Sequence, residues 1–298
     1  MRPAAARPCV MNHSQVFDLP ALPAPLPTFV RAGLSATRRL PDTPQLPNWA
    51  LRVRALRVDP ARLQAYQALC GLPQGETLPI LYPQVLATPL FLHLMTRPGF
   101  PVPLLGLVHV RNTVEQRRAL RADESLDLCL RVGEGREVKA GFEFDLLMDC
   151  APAEAEPVWR ATMTVIRRRP RPPSDAKPPP PAASARLAEY LALSAPEDIG
   201  RRYARVSGDY NPIHLHAATA RLFGFPRAIA HGLWTAARCL ALLEPRLPAL
   251  PRRYAVQFKQ PLLLPGRAVL RYAPQSEPIE FALLAAGAAK IHLTGTLG

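Results

Sequence analysis

The stretch VSGDYNPIH, residues 206–214, gathers Asp209, Asn211 and His214 around Pro212. Asn-Pro favours a turn, and a turn would bring the Asp209 carboxylate and the His214 imidazole onto one water molecule. Such a pair exchanges acid and base roles near neutral pH, each proton transfer being worth about 10²–10⁴ in rate. Asn211 is better suited to orienting its neighbours and the turn than to transferring protons. The same residues have a plainer use as an Asx-turn that caps a following helix, with His214 a satisfied neighbour. His214-Leu215-His216 beside Asp209 also raises a metal, but the sequence offers too few further ligands, and no metal is expected.

These side chains need a scaffold, and the hydropathy pattern outlines one. HGLWTAARCLALLEP, 231–245, reads as a long helix that is apolar nearly all round, hence buried, and ended by Pro245. Gly232 opens it, so its N–H points out of the helix with the positive end of the dipole behind it. That suits an oxygen gaining negative charge; a glycine needed only for packing is the alternative. His231 is expected to fix the helix start. HAATARLFGF (216–225) reads as a short helix, and ARLAEYLAL (185–193) and PEDIGRRYARVSG (196–208) as short helical pieces. YAVQFKQPLLL (254–264), RAVLRYAP (267–274), IEFALLAAG (279–287) and AKIHLTGTL (289–297) read as strands.

The first half repeats this plan. Strands are expected at 51–58, 106–116, 125–135, 139–150 and 158–169, with one apolar helix, PQVLATPLFLHLMT, at 83–96. YPQVLATPLF (82–91) matches FPRAIAHGLW (225–234) at an offset of 143, which marks a duplicated unit and predicts two similar sheets related by a pseudo-twofold axis. The copies differ where it matters: Thr88-Pro89 stands opposite His231-Gly232, and proline lacks the N–H. The first copy has no counterpart of GDYNPIH. One working site per chain follows, with the first half walling its pocket.

Between the halves, RRRPRPPSDAKPPPPAASA (167–185) contains seven prolines and no large apolar residue, so it reads as a linker. The divisions expected are 1–48, an extension that wraps a surface; 49–168, a degenerate first domain; 169–185, the linker; and 186–298, the equipped domain. The net charge is +14 over 298 residues, but the cations are scattered without aromatic interleaving. No nucleic acid is expected as a partner, and a basic surface equally suits a phosphate-bearing small molecule. No apolar run reaches the length of a membrane span, and no h-region follows the N-terminal arginines. Of the five cysteines, Cys129 and Cys239 lie in apolar runs and read as buried thiols in a reducing, cytoplasmic setting.

YARVSGDYNPIHLHAATA, 203–220, resembles the signature of the MaoC-like dehydratases, the (R)-specific enoyl-CoA hydratases of the hydratase 2 type. The likeness includes Tyr203, Ser207-Gly208-Asp209, Asn211-Pro212, His214 and Ala220, followed by Gly-Phe-Pro and Ala-His-Gly. It covers roughly 196–298. The resemblance implies an α+β double hot-dog fold, two tandem antiparallel sheets each wrapped around a central helix, with the second copy catalytic. It implies reversible hydration of a 2-enoyl thioester to the (R)-3-hydroxyacyl thioester, without a cofactor, on coenzyme A or an acyl carrier protein. Asp209 and His214 would then be the acid–base pair, Asn211 their neighbour and Gly232 the oxyanion donor. Arg221, Arg227 and Lys259 are candidates for the phosphates of the thioester carrier, solvated surface cations being the alternative. A homodimer is compatible with the pattern. The rival functions are a non-catalytic acyl-thioester-binding module and a thioesterase on the same fold.

Overall fold

The computed structural model describes residues 15–24, 40–169, 187–287 and 290–298. Its centre is a single eleven-stranded sheet, and the chain folds twice over the same plan to make it. The first half supplies β1 (Gln15–Leu19), β2 (Trp49–Arg57), β3 (Leu107–Gln116), β4 (Ser125–Val138), β5 (Gly141–Pro152) and β6 (Trp159–Arg168). The second supplies β7 (Glu189–Ala195), β8 (Arg253–Phe258), β9 (Gly266–Tyr272), β10 (Ile279–Ala285) and β11 (Ile291–Leu297).

From the outer edge inward the first half runs β2-β4-β5-β6-β3, and the second runs β7-β9-β10-β11-β8. The order is the same, and β3 pairs antiparallel with β8, Thr113 opposite Ala255, so the two expected sheets meet as one. This is the double hot-dog arrangement that the resemblance implies. β1 adds to the outer edge, parallel to β2, with Asp18 paired to Arg52 at 2.6 Å. The proline-rich linker lies outside the described residues, apart from Arg169.

Each half wraps its sheet around a central helix whose residues join one contiguous core. In the second half this is α6 (Gly232–Leu243), bonded to the sheet where the Tyr254 hydroxyl donates to the Ala236 carbonyl at 2.8 Å. In the first half the expected helix at 83–96 is two pieces, α2 (Tyr82–Leu86) and α3 (Thr88–Met95), joined at Ala87.

Two further readings need correction. Residues 189–195 form edge strand β7 against β9, not a helix. Glu, Leu and Ala favour helix, but the alternate residues Leu193 and Ala195 are buried, and pairing across the sheet overrides the local preference. The run expected as a strand over 254–264 ends at Phe258. An unanticipated helix, α1 (Pro60–Cys70), starts where the Asp59 side chain accepts from the Ala61 N–H, with Pro60 in its first turn. It packs against α4 (Ile199–Ser207) of the second half.

Two arginines join α1 to the second half. Arg62 of α1 donates to the Val206 carbonyl at the end of α4 at 2.7 Å. Arg238 of α6 donates to the Cys70 carbonyl at the end of α1 at 2.5 Å. A cation at a helix C-terminus satisfies orphan carbonyls and favours the dipole. Cys70, Cys150 and Cys239 are free and buried, whereas Cys129 is disulfide-bonded, which departs from the reading of Cys129 as a thiol. Among the described residues no helix is long and apolar enough to cross a membrane.

If the arginines couple the halves, Arg238→Ala should lower the urea-unfolding free energy by about 1.5–3 kcal/mol, the usual worth of a hydrogen bond to a charged group. Unchanged unfolding would show that the Arg238 bond does not couple them.

Candidate active site

Helix α4 ends at Gly208, whose left-handed backbone (φ 78) turns the chain sharply into Asp209. The Asp209 N–H donates to the Ser207 hydroxyl at 3.1 Å, and one carboxylate oxygen, Oδ1, accepts from the Asn211 N–H at 3.1 Å. The Asn211 side chain in turn accepts from the Ile213 N–H at 3.4 Å and caps the 3₁₀ turn Pro212–His214. The plain Asx-turn reading is therefore physically present. It uses up the Asn211 oxygen but leaves Asp209 Oδ2.

His214 is held from two sides. Its backbone packs so closely on α4 that a Cβ at Gly200 would lie 1.8 Å from the His214 carbonyl oxygen, so only glycine fits there. Its ring nitrogen Nδ1 lies 2.8 Å from the Ile229 carbonyl oxygen. A carbonyl only accepts, so Nδ1 carries the proton and Nε2 is left as the basic lone pair. Residues 228–230 are themselves tethered, Ile229 N–H to the Ile213 carbonyl and Ala230 N–H to the Leu262 carbonyl, which fixes the approach to α6. A helix expected at 216–225 is the short α5 (Ala217–Arg221), whose N-cap is His216.

His231, the N-cap of α6, is extended (φ −62, ψ 136), so the chain reaches the helix from the side. Gly232 is the first helical residue and its N–H has no intrahelical acceptor. The ring of Phe258 stands beside it, 3.2 Å from where a Cβ would lie. His231 stacks on His214, ring centroids 3.8 Å apart at 27°, and its Nε2 is 3.0 Å from the Asp209 carbonyl oxygen.

All these groups line one cavity of about 650 Å³, in the range of ligand pockets. Asp209, Asn211, His214, His231 and Gly232 stand on the second-half wall. Phe91, Leu92, Met95, Val108, Met163 and Val165 make the first-half wall apolar. Of the three candidate phosphate contacts, only Lys259 lines the cavity, and it is exposed. Arg221 and Arg227 do not line it; their side chains reach the carbonyls of Pro226 and Pro265. Two lining residues escaped the sequence reading. Arg168 was absorbed into a basic run beside the linker. His109 sits at a bulge in β3, where the register shifts and side chains are re-aimed. Only the bulge, invisible in the alternation, would have pointed to it.

In the first half the corresponding helix start is closed. Ala87, ahead of α3, is helical, and its N–H already donates to the Pro83 carbonyl at 3.1 Å. Pro89 at the second position of α3 removes another donor.

Ligand atoms of Asp209, His214 and His231 lie within 4.8 Å of one another and could on distance alone hold a metal ion. Each imidazole gives one nitrogen to a backbone carbonyl and keeps the lone pair of the other, Nε2 in His214 and Nδ1 in His231. Burial pushes the His214 pKa down, against the opposing charge of Asp209 and the bond to Ile229. Burial, with His214 adding to it, holds His231 well below the ordinary value. Burial also brings His109 to about 4 and lowers His292.

The family described as MaoC like domain matches residues 174–276. The 3-hydroxyacyl-thioester dehydratase X of Mycobacterium tuberculosis is 36% identical over 282 residues, 92% of this chain and 98% of that protein. The crystal structure of HtdX from Mycobacterium tuberculosis is similar with a TM-score of 0.72 at 33% identity, covering 83% of this chain and 98% of that one. Another Mycobacterium tuberculosis structure, described as a double hotdog fold, has a TM-score of 0.54 at 14% identity over 86% of this chain and 96% of its own, a likeness of fold alone.

The four lowered imidazoles make stability sensitive to acid. A histidine whose folded pKa lies below the unfolded value of about 6.5 contributes stability that is complete above that pH and is lost as pH falls through the folded value. The urea midpoint should hold from pH 7.5 to 6.5 and fall between 6.5 and 4, and His109→Gln should fall less steeply. Parallel curves for the two proteins would show that the His109 ring is hydrated.

Proposed function

We propose that this chain, which belongs to the MaoC-like dehydratase family, catalyses the reversible addition of water to a 2-enoyl thioester, giving the (R)-3-hydroxyacyl thioester. The observation that carries the reading is the pair of atoms left unspent by the local hydrogen bonds, Asp209 Oδ2 and His214 Nε2, in one cavity with an open helix start.

The thioester carbonyl accepts from the Gly232 N–H, where the positive end of α6 faces it. A water between Asp209 and His214 gives one hydrogen bond to Asp209 Oδ2 and the other proton to His214 Nε2. Its oxygen bonds C3 of the enoyl group as the C2=C3 electrons move to the thioester oxygen. The resulting enolate is held by the Gly232 N–H, and its collapse takes the proton from His214 onto C2. Dehydration is the reverse. The neutral, Nδ1-protonated His214 is the form that can start hydration, and its lowered pKa keeps that form populated at neutral pH.

The first-half wall receives the acyl chain, and the polar arm of the thioester leaves past the exposed residues Arg168, Lys259 and Gln260. Lys259 and Arg168 are placed to meet the carrier's phosphates. Asn211 serves by holding the turn. The unit at 186–298 carries the single site, the unit at 49–168 its wall. Three free buried thiols fit the reducing cytoplasm to which this reading assigns the enzyme, and the Cys129 disulfide is the feature that departs from it.

An absorbance assay on a panel of 2-enoyl-CoA and 3-hydroxyacyl-CoA substrates tests the reaction. Asp209→Asn and His214→Ala should each lower turnover at least about a hundredfold with the fold retained. Near-normal turnover in either would make the pair structural. Gly232→Pro should lower kcat more than KM, because an oxyanion donor acts mainly in the transition state, at a typical cost of about 2.7–4 kcal/mol. Gly232→Ala is the control: it adds the same crowding against Phe258 but keeps the N–H. If both variants lose turnover equally, crowding and not the donor is responsible.

A further inference from the structure

His231 transfers no proton in the reaction above, yet it touches each part of the site. Its ring lies on His214 at 3.8 Å. Its Nε2 is 3.0 Å from the Asp209 carbonyl oxygen and 3.9 Å from Asp209 Oδ2. Its backbone is the N-cap from which α6 and the Gly232 N–H begin. We propose that His231 is the positioning residue of this site, holding the His214 ring, the Asp209 loop and the first turn of α6 in one register.

The ring is suited to that task. It is only 3% exposed, and an imidazole buried this far stays neutral near pH 7, neither giving nor taking a proton. Because Nε2 faces a carbonyl oxygen, Nε2 carries the proton and Nδ1 has the lone pair, the opposite tautomer to His214. Nδ1 is fully buried and has no hydrogen-bond partner. A buried polar atom left unpaired costs about 1–3 kcal/mol, and phenylalanine in the same place would avoid that cost. The donor on the other nitrogen is what phenylalanine would not supply.

The anchorage extends into the first half. Tyr203 lies 4.9 Å from the His231 ring, Tyr66 of α1 lies 6.4 Å from Tyr203, and Tyr82 of α2 lies 5.1 Å from Tyr66. A column of buried aromatic rings thus runs from the helices of the first half to the acid–base histidine. The first half, in addition to walling the acyl pocket, braces the ring that braces His214.

The kinetic arm of the test rests on the acid–base reading above, and the spectroscopic arm does not. Ring-labelled histidine NMR on the full chain at pH 7 should find His231 neutral with its proton on Nε2 and His214 neutral with its proton on Nδ1. A charged His231, or one with the proton on Nδ1, overturns the proposal whatever the enzyme's substrate. His231→Phe keeps a ring and loses the donor; His231→Gln keeps a donor and loses the ring. Each should lower kcat about tenfold to a hundredfold, as a displacement near 1 Å does, with KM within about threefold, and His231→Ala should lose more than either. Folded variants with parental kcat and only reduced melting temperature would make His231 a structural residue and end the proposal. If the parent protein turns over no acyl thioester, the proposed reaction fails, and the tautomers still decide the placement of the ring.

Discussion

Helix α6 begins from an extended residue, and its first N–H groups face a cavity instead of more protein. Such a start is expensive to keep open, because orphan donors seek acceptors and apolar neighbours seek to fill space. The molecule supports it on three sides. Residues 228–230 are stitched to Ile213 and to 262–264, so the approach cannot collapse onto the helix axis. Phe258 stands beside Gly232 and limits the space there to what a glycine leaves. His231 fills the remaining side with a flat ring that the catalytic loop lies against. The corresponding start of α3 lacks this support, and a helical turn, α2, closes it instead.

The same difference explains why a duplicated unit is retained with one half silent. Pairing β3 with β8 makes one sheet from two, and α1 then lies against α4 across the junction. The apolar side chains of the first half are thereby presented to the second half's helix start. The first copy carries no counterpart of the Asp209–His214 turn and lines the cavity largely with apolar side chains, Phe91, Leu92 and Met95 among them. A single unit would have to supply both the polar loop and the apolar wall from about half as much core, where surface-to-volume scaling is less favourable.

Much of this was legible in the sequence, for identifiable reasons. Strands β4, β5 and β9 alternate in sequence because one face of each meets the core; on β5 the other face carries Glu143, Asp145 and Asp149, which are paired with arginines. The Asp209–His214 turn was legible because the chemistry is local: both groups and the proline that turns the chain are adjacent. Edge strand β7 was not, since its strand character comes from β9, which lies far along the chain, while its own residues favour helix. Helix α1 buries Leu63, Tyr66, Gln67 and Cys70, which have the spacing of one helix face, but Gln67 within it and Ala65, Ala68 and Leu69 outside it blur the contrast in the sequence. Its end signals, Asp59-Pro60 and Gly71, were present. The stack of His231 on His214 was out of reach, because it joins a loop to a helix start through the tertiary course of residues 228–230. His109 was hidden for a similar reason, its aim being set by a bulge against β6.

Buried polar atoms without a partner occur in both halves, and those beside the second helix start bear on how the site works. In the first-half core Gln84 and Asn112 exchange two hydrogen bonds, at 2.8 and 2.9 Å, while the Tyr82 hydroxyl is buried without a partner. Around the second helix start, the Tyr203 hydroxyl and His231 Nδ1 are buried without partners. A core of this size tolerates a few such costs, and packing alone does not call for them, since phenylalanine would leave no unpaired ring atom at either position. Keeping polar rings there yields a set of donors and lone pairs whose directions are fixed by packing before any substrate arrives. The energy of ordering the site is then part of folding and does not recur with each turnover. The unpaired atoms are thus a stability cost carried by the whole fold, and the benefit appears at only three groups: Asp209, His214 and the Gly232 N–H.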